Sequence, residues 1–189
     1  MGDPLSPGMT IGACSWMEDE WMQTLSDECK RNFMARRYMD DILMVYAKVA
    51  LWDHEKFMED FRRSECYQAP LHLEPGTAGT FLETRYRVEA NQFVFRLKND
   101  NEDGQGRVWR YQHFDSHSPF MQKRATLTAC LKKVHQMASD PDELYRSALD
   151  KCAEFSRLGY PHGVLRNACS YLGASTGEGR WITVRNALE

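Results

Sequence analysis

Apolar positions along the chain recur with two periods, one near 3.6 residues and one of two, and the switches between them divide it into elements. Gly2 to Gly8 reads as a loop that ends in a helix start, with Ser6 as the cap and Pro7 at the first helical position. Met9, Ile11, Trp16, Met17, Trp21, Met22 and Leu25 follow as a near-helical apolar face, with Glu18, Asp19 and Glu20 on the other side. The pattern then turns to strand. Arg36-Arg37-Tyr38-Met39 leads to Asp40-Asp41 and on to the apolar run Ile42-Leu43-Met44-Val45-Tyr46. A β-hairpin bent at Tyr38 to Asp41 would bury Phe33, Ile42, Met44 and Tyr46 and hold the acids at its tip. Residues 52–63 read as a helix with Trp52, Phe57, Met58 and Phe61 inward and Glu55, Glu59, Asp60 and Arg62 outward, and residues 70–73 as a short strand. Residues 75–79 form a turn or loop. Residues 80–88 and 92–97 alternate as two strands with the turn at Asn91-Gln92, and the apolar-free stretch 98–107 is a linker or loop.

The last third is helical. Ser118-Pro119 opens a helix with Phe120, Leu127, Leu131, Val134 and Ala138 at helical spacing. Asp140-Pro141-Asp142-Glu143 supplies a cap, a first-position proline and an acid at the third position. Leu144, Ala148, Cys152 and Phe155 share the face that follows, and Gly159 ends the helix. Pro161 opens a third helix carrying Val164, Leu165, Ala168, Cys169 and Leu172. After Gly173 the chain becomes a Gly/Ser/Thr-rich tail in which Trp181, Ile182 and Val184 form one short element. The fold class is α+β.

Composition adds direction. The 189 residues are 42% apolar, enough for one or two modest cores, and the net charge of −3 carries no global nucleic-acid signature. The charge is unevenly distributed: residues 1–106 hold 12 basic against 19 acidic side chains, net −7, and residues 107–189 hold 12 against 8, net +4. That asymmetry fits a metal-binding half joined to a phosphate-holding half, although ordinary surface charge accounts for it equally well. Six scattered cysteines without a C-x-x-C pair read as reduced thiols of an intracellular protein, nucleus and cytoplasm not distinguished. The first residues lack the form of a signal peptide, no apolar run is long enough to span a bilayer, and no membrane partner is expected. Met1-Gly2-Asp3-Pro4-Leu5-Ser6 formally fits a myristoylation pattern, but a different motif explains the same residues better.

The chemistry concentrates at Asp40-Asp41. Two carboxylates on a stiff hairpin suit Mg²⁺, a hard cation that takes oxygen ligands and keeps some of its waters. For Asp-Asp alone an ordinary turn is the preferred explanation. Tyr38-Met39-Asp40-Asp41 followed by an apolar strand, however, resembles the catalytic hairpin of reverse transcriptases. Met1-Gly2-Asp3-Pro4-Leu5-Ser6-Pro7 is similar to the motif that precedes that hairpin in the family, and the helix between the two has the family's spacing. Phe81-Leu82-Glu83 resembles, more weakly, the start of the primer-grip hairpin. His113, Ser116-His117-Ser118-Pro119, Lys123-Arg124 and Gly159-Tyr160-Pro161 are similar to the thumb of Penelope-like and related retroelement enzymes.

The resemblance covers roughly residues 1–170 and implies a partial right-hand polymerase: a palm portion over 1–106, a helical thumb over 107–172 and a tail over 173–189. The family motif begins slightly earlier, with Gln-Gly. Met1 would then correspond to an internal methionine, with the fingers and the strand bearing the other catalytic aspartate upstream. The implied reaction is template-directed nucleotidyl transfer with Mg²⁺, or Mn²⁺ in its place, on an RNA or DNA template with primer and deoxynucleoside triphosphates. Asp40 and Asp41 would be the catalytic metal ligands, Asp40 the inner one, and Tyr38 and Met39 would flank the primer end. Gly2, Pro4, Ser6 and Pro7 would line the nucleotide and template loop, and Lys123, Arg124, Lys132 and Lys133 would meet backbone phosphates. For any single one of these cations a solvated helix face is the default. Two other readings stand beside this one: a catalytically inactive remnant that binds nucleic acid or a protein partner, and an unrelated α+β domain. His113, Asp115 and His117 have an approximate zinc spacing but fall in a Ser-Pro loop, where a polar loop is the better account.

Overall fold

The computed structural model describes residues 6–39, 41–49, 52–63, 66–67, 69–74, 76–99, 101 and 110–188, without the side chains of Ser6 and Pro7. The chain is mixed α and β and forms two compact units, Met1–Pro75 and Gly76–Glu189.

The first unit runs α1 (Ser6–Thr24), α2 (Asp27–Asn32), β1 (Phe33–Tyr38), β2 (Asp41–Tyr46) and α3 (His54–Arg63). Ser26 caps α2 by accepting from the Cys29 N–H at 3.2 Å. β1 and β2 are antiparallel, with Phe33 opposite Tyr46 and Tyr38 opposite Asp41. The core is a small aromatic cluster in which Trp21, Phe57 and Phe61 are buried and Phe33 packs on Phe57 at a ring separation of 4.9 Å. Ile42 and Met44 are half-buried against it, and Tyr46 stacks on His54.

Two expectations fail here. Met9 and Trp16 are 72% and 63% exposed, and Ile11 is exposed as well. At 3.6 residues per turn Met9 and Trp16 lie on roughly the opposite side of the helix from Cys14, Trp21 and Leu25, so the apolar residues of α1 do not make one face. Residues 70–73 form no strand. They run as extended coil pinned by the Leu71 N–H to the Arg62 carbonyl (3.0 Å), with Leu71 and Leu73 against the aromatic cluster.

The second unit starts with an antiparallel sheet of β3 (Ala78–Phe81), β4 (Thr84–Glu89) and β5 (Gln92–Leu97), in that order. The single strand expected over 80–88 is therefore two strands joined at Leu82-Glu83, and Leu82 takes a left-handed φ of 54° without the glycine or asparagine that would announce a turn. The β4–β5 turn is Ala90-Asn91, one residue earlier than expected, with φ 48° and 63°. Four helices follow: α4 (Phe120–Gln136), α5 (Pro141–Arg157), α6 (His162–Thr176) and α7 (Arg180–Asn186). Asp140 caps α5 as expected, accepting from the Asp142 and Glu143 N–H groups at 3.0 and 2.9 Å. Gly159, at φ 82°, closes α5: its N–H bonds the Ser156 carbonyl and that of Tyr160 bonds Phe155. A Cβ at Gly159 would meet Cε1 of His113 at 2.9 Å. Ser118 does not cap α4, because its hydroxyl donates to Gln112 instead.

Leu127, Leu131, Phe155, Leu165, Cys169 and Trp181 are completely buried together. Phe120, expected on that face, is exposed. Residues 173–186 are no peripheral tail, since α6 continues to Thr176 and α7 inserts Trp181 and Val184 into the core. The sheet, grouped with the first part at the expected 106/107 division, packs with these helices. Arg87 reaches buried Glu143 at 2.8 Å, and Ser139 exchanges two hydrogen bonds with the Phe95 backbone. All six cysteines are free thiols. Among the described residues no helix is long and apolar enough to cross a membrane.

Candidate functional site

The hairpin tip is built by register. Strand residues alternate sides, so Phe33, Ala35 and Arg37 face the unit's interior and Met34, Arg36 and Tyr38 face outward. Tyr38 opposite Asp41 is the last strand pair, and Met39, which follows Tyr38, turns the chain at φ 55°. Tyr38 and Met39 are more than half exposed, and Asp41 is exposed. Asp40 itself lies outside the described residues, as do Gly2 and Pro4. Ser6 and Pro7 open α1, roughly 7 Å along the helix axis from Ile11, which touches the hairpin. An exposed carboxylate on a paired strand beside a tight turn has the donor chemistry a hard divalent cation takes. Among the described residues no three His, Cys, Asp or Glu side chains gather as a metal group.

Arg37 links this tip to α1. Its Nε donates to Glu18 Oε1 at 2.5 Å, Nη2 to the Ser15 hydroxyl at 3.3 Å and the Ile11 carbonyl at 3.4 Å, and Nη1 to the Met39 carbonyl at 3.3 Å. Tyr67 donates its hydroxyl to the same Glu18 oxygen at 2.5 Å. The Glu18 hydrogen bond raises the Arg37 pKa, and burial, followed by Glu18, pushes the Tyr67 phenol up. Burial pushes the neighbouring Cys66 thiol to about 11, so that it stays protonated at neutral pH. Glu18 was grouped with Asp19 and Glu20 on the outer side of α1; only its position three residues before Trp21, on the buried arc, could have marked it.

The four cations expected to meet phosphate separate into different environments. Lys123 is 6% exposed, donates to the Phe114 carbonyl and, at 2.6 Å, to that of Ser116, and lies over the Phe114 ring. It holds the 114–116 loop on α4, and a lysine this buried, its ammonium on two carbonyls, does not fit the phosphate contact expected of it. Lys133 is paired with Glu83 across to the β3–β4 turn. Arg124 and Lys132 are exposed on α4 and, eight residues apart, lie roughly 12 Å along its axis. His113 packs on Gly159, with Nδ1 accepting from the Asp115 N–H at 3.2 Å.

No protein-family model matches the chain, and neither a curated protein nor a solved structure matches it.

Proposed function

We propose that this chain is part of a reverse transcriptase, comprising a palm portion with the catalytic hairpin and a helical thumb, and that its chemistry is template-directed nucleotidyl transfer. The observation that carries this reading is the antiparallel hairpin whose last strand pair is Tyr38 with Asp41, so that Tyr38, Met39 and Asp41 lie exposed at its tip beside α1. Asp40 and Asp41 would hold the divalent cation, Mg²⁺ or Mn²⁺. That cation, when bound, supplies positive charge at the attacking primer oxygen and the leaving pyrophosphate. Tyr38 and Met39, exposed at the bend, offer an apolar shelf for the terminal primer base. Arg124 and Lys132 on α4 provide the exposed charges for template–primer phosphates.

Primer extension on a defined template with purified protein tests the reading. Magnesium-dependent extension that falls about 10²–10³-fold or more in Asp40→Ala, through loss of charge stabilisation at the reacting centre, would support the enzyme. Template–primer binding without extension would make the protein a non-catalytic remnant. Neither binding nor extension would sink the assignment.

A further inference from the structure

We propose that Arg37, braced by Glu18 and Tyr67, is a positioning residue that fixes the hairpin tip against α1 and so sets where the Asp41 end of the hairpin sits relative to the start of that helix. The inference rests on reading the tip as the reactive end of the molecule. A two-stranded hairpin is marginal by itself, and its tip at Met39 needs an anchor beyond the strand ladder. Arg37 lies one residue before the last strand pair and faces inward. There its planar fork reaches three carbonyl or hydroxyl oxygens as well as the Glu18 carboxylate. The Met39 carbonyl belongs to the bend; Ile11, Ser15 and Glu18 belong to α1. One guanidinium therefore ties the bend to three successive positions along the helix.

The brace is itself braced. Glu18 Oε1 accepts from both Arg37 and the Tyr67 hydroxyl, so the carboxylate cannot swing away with the arginine without breaking a second bond. The Arg37 side chain is only 12% exposed, which limits competition from water. Arg36, its neighbour, makes the contrast. It faces outward and, among the described residues, donates only to the Ala35 carbonyl beside it, at 3.0 Å. Two adjacent arginines thus have different roles because strand alternation sends them to opposite sides. A lysine at 37 could reproduce the contact with Glu18 but not the planar fork that reaches Met39 and α1 together.

The test reads the tip directly. In protein labelled at methionine methyls, Met39 is expected to give one resonance. In Arg37→Ala it should shift or broaden from exchange, Arg37→Lys and Glu18→Gln should fall between, and Arg36→Ala should match wild type. The Arg37 and Glu18 changes should be non-additive. In primer extension, Arg37→Ala is expected to lower kcat about 10–100-fold with KM for template–primer within about twofold, with partial rescue by lysine, since small misplacement of reacting groups costs rate rather than binding. A Met39 resonance unchanged in both Arg37→Ala and Glu18→Gln overturns the inference, as does a loss expressed only in KM. If wild-type protein extends no primer, the polymerase reading fails while the methyl spectra still decide whether Arg37 holds the tip. Should Arg37→Ala not fold, Glu18→Gln and Arg37→Lys carry the same spectral comparison.

Discussion

The two units bury their cores to different depths. In the Gly76–Glu189 unit Leu127, Leu131, Phe155 and Trp181 keep no exposed surface, and four helices contribute to one contiguous cluster. In the Met1–Pro75 unit the most buried members, Phe61 and Cys66, each retain 4%, and the buried cluster is Trp21, Phe57 and Phe61 with Cys29 and Cys66. The difference bears on function. The deeply packed unit sets its polar links, such as Arg87–Glu143, around a closed apolar core, whereas the thinly packed one carries the acidic hairpin and ties it to α1 through Arg37, Glu18 and Tyr67. Where a core is shallow, polar bonds take over the task of placement.

The widest test of this contrast compares tryptophans. Trp181→Ala should cost about 3–5 kcal/mol in urea unfolding of the second unit, the range for truncating a fully buried aromatic. Trp21→Ala should cost the first unit less, because its ring keeps some exposure and its surroundings can close in, and Trp16→Ala should stay within about 0.5 kcal/mol. Equal losses for Trp16 and Trp21 would mean that the outer side of α1 is covered in solution, and the contrast between the units would collapse.

A smaller effect is expected from Glu143→Ala. The Glu143 carboxylate is buried, with Arg87 at 2.8 Å, Arg146 at 3.2 Å and Arg96 at 3.8 Å. Removing it strips the sheet-to-helix contact of its shared acceptor and should cost about 2 kcal/mol, below the range for a fully buried pair because the arginines keep some access to water. A neutral result in thermal unfolding would show that Leu97, the Ser139 bonds and the Lys133–Glu83 pair hold the sheet without it.

A smaller effect than that of Glu143 is expected at Asp140. Its bonds from the Glu143 N–H, then from the Ser139 hydroxyl, hold its carboxyl below the usual 3.8. A depressed folded value means that the contribution is complete above the ordinary value and is lost as pH falls through the folded one. Asp140→Ala should therefore cost about 1 kcal/mol at neutral pH. The gap to wild type should narrow on acidification below about pH 4, and Asp140→Asn should show little of that pH dependence. A gap that widens in acid would reverse the sign and exclude the capping account.

These cases also show what was legible in the sequence. Asp140, Pro141 and Gly159 are local signals with local consequences, and the structure has them in the expected roles. The hairpin was legible because an apolar run with an acidic bend leaves few alternatives. Leu82 was not, because nothing in its chemistry requests a left-handed turn, and the alternation continues through it. Trp181 sits in a polar stretch that hides a helix whose only strong anchors are Trp181 and Val184. Lys123 and Glu18 were misread for one shared reason. Charged residues on helices are presumed solvated, and only tertiary placement reveals a lysine lying on a phenylalanine or a glutamate turned toward an arginine. The candidate site was thus readable in its motif and unreadable in its support.

Gly159 constrains how this molecule can change over generations. Its left-handed backbone already disfavours other residues, and any added Cβ would run into the His113 imidazole. Asparagine, the residue that best tolerates the backbone angle, would still meet that ring. Any residue other than glycine at 159 therefore costs twice, once in backbone strain and once in displacing the half-exposed His113 imidazole from its seat. The helix stop and the loop in front of α4 are joined at this one position.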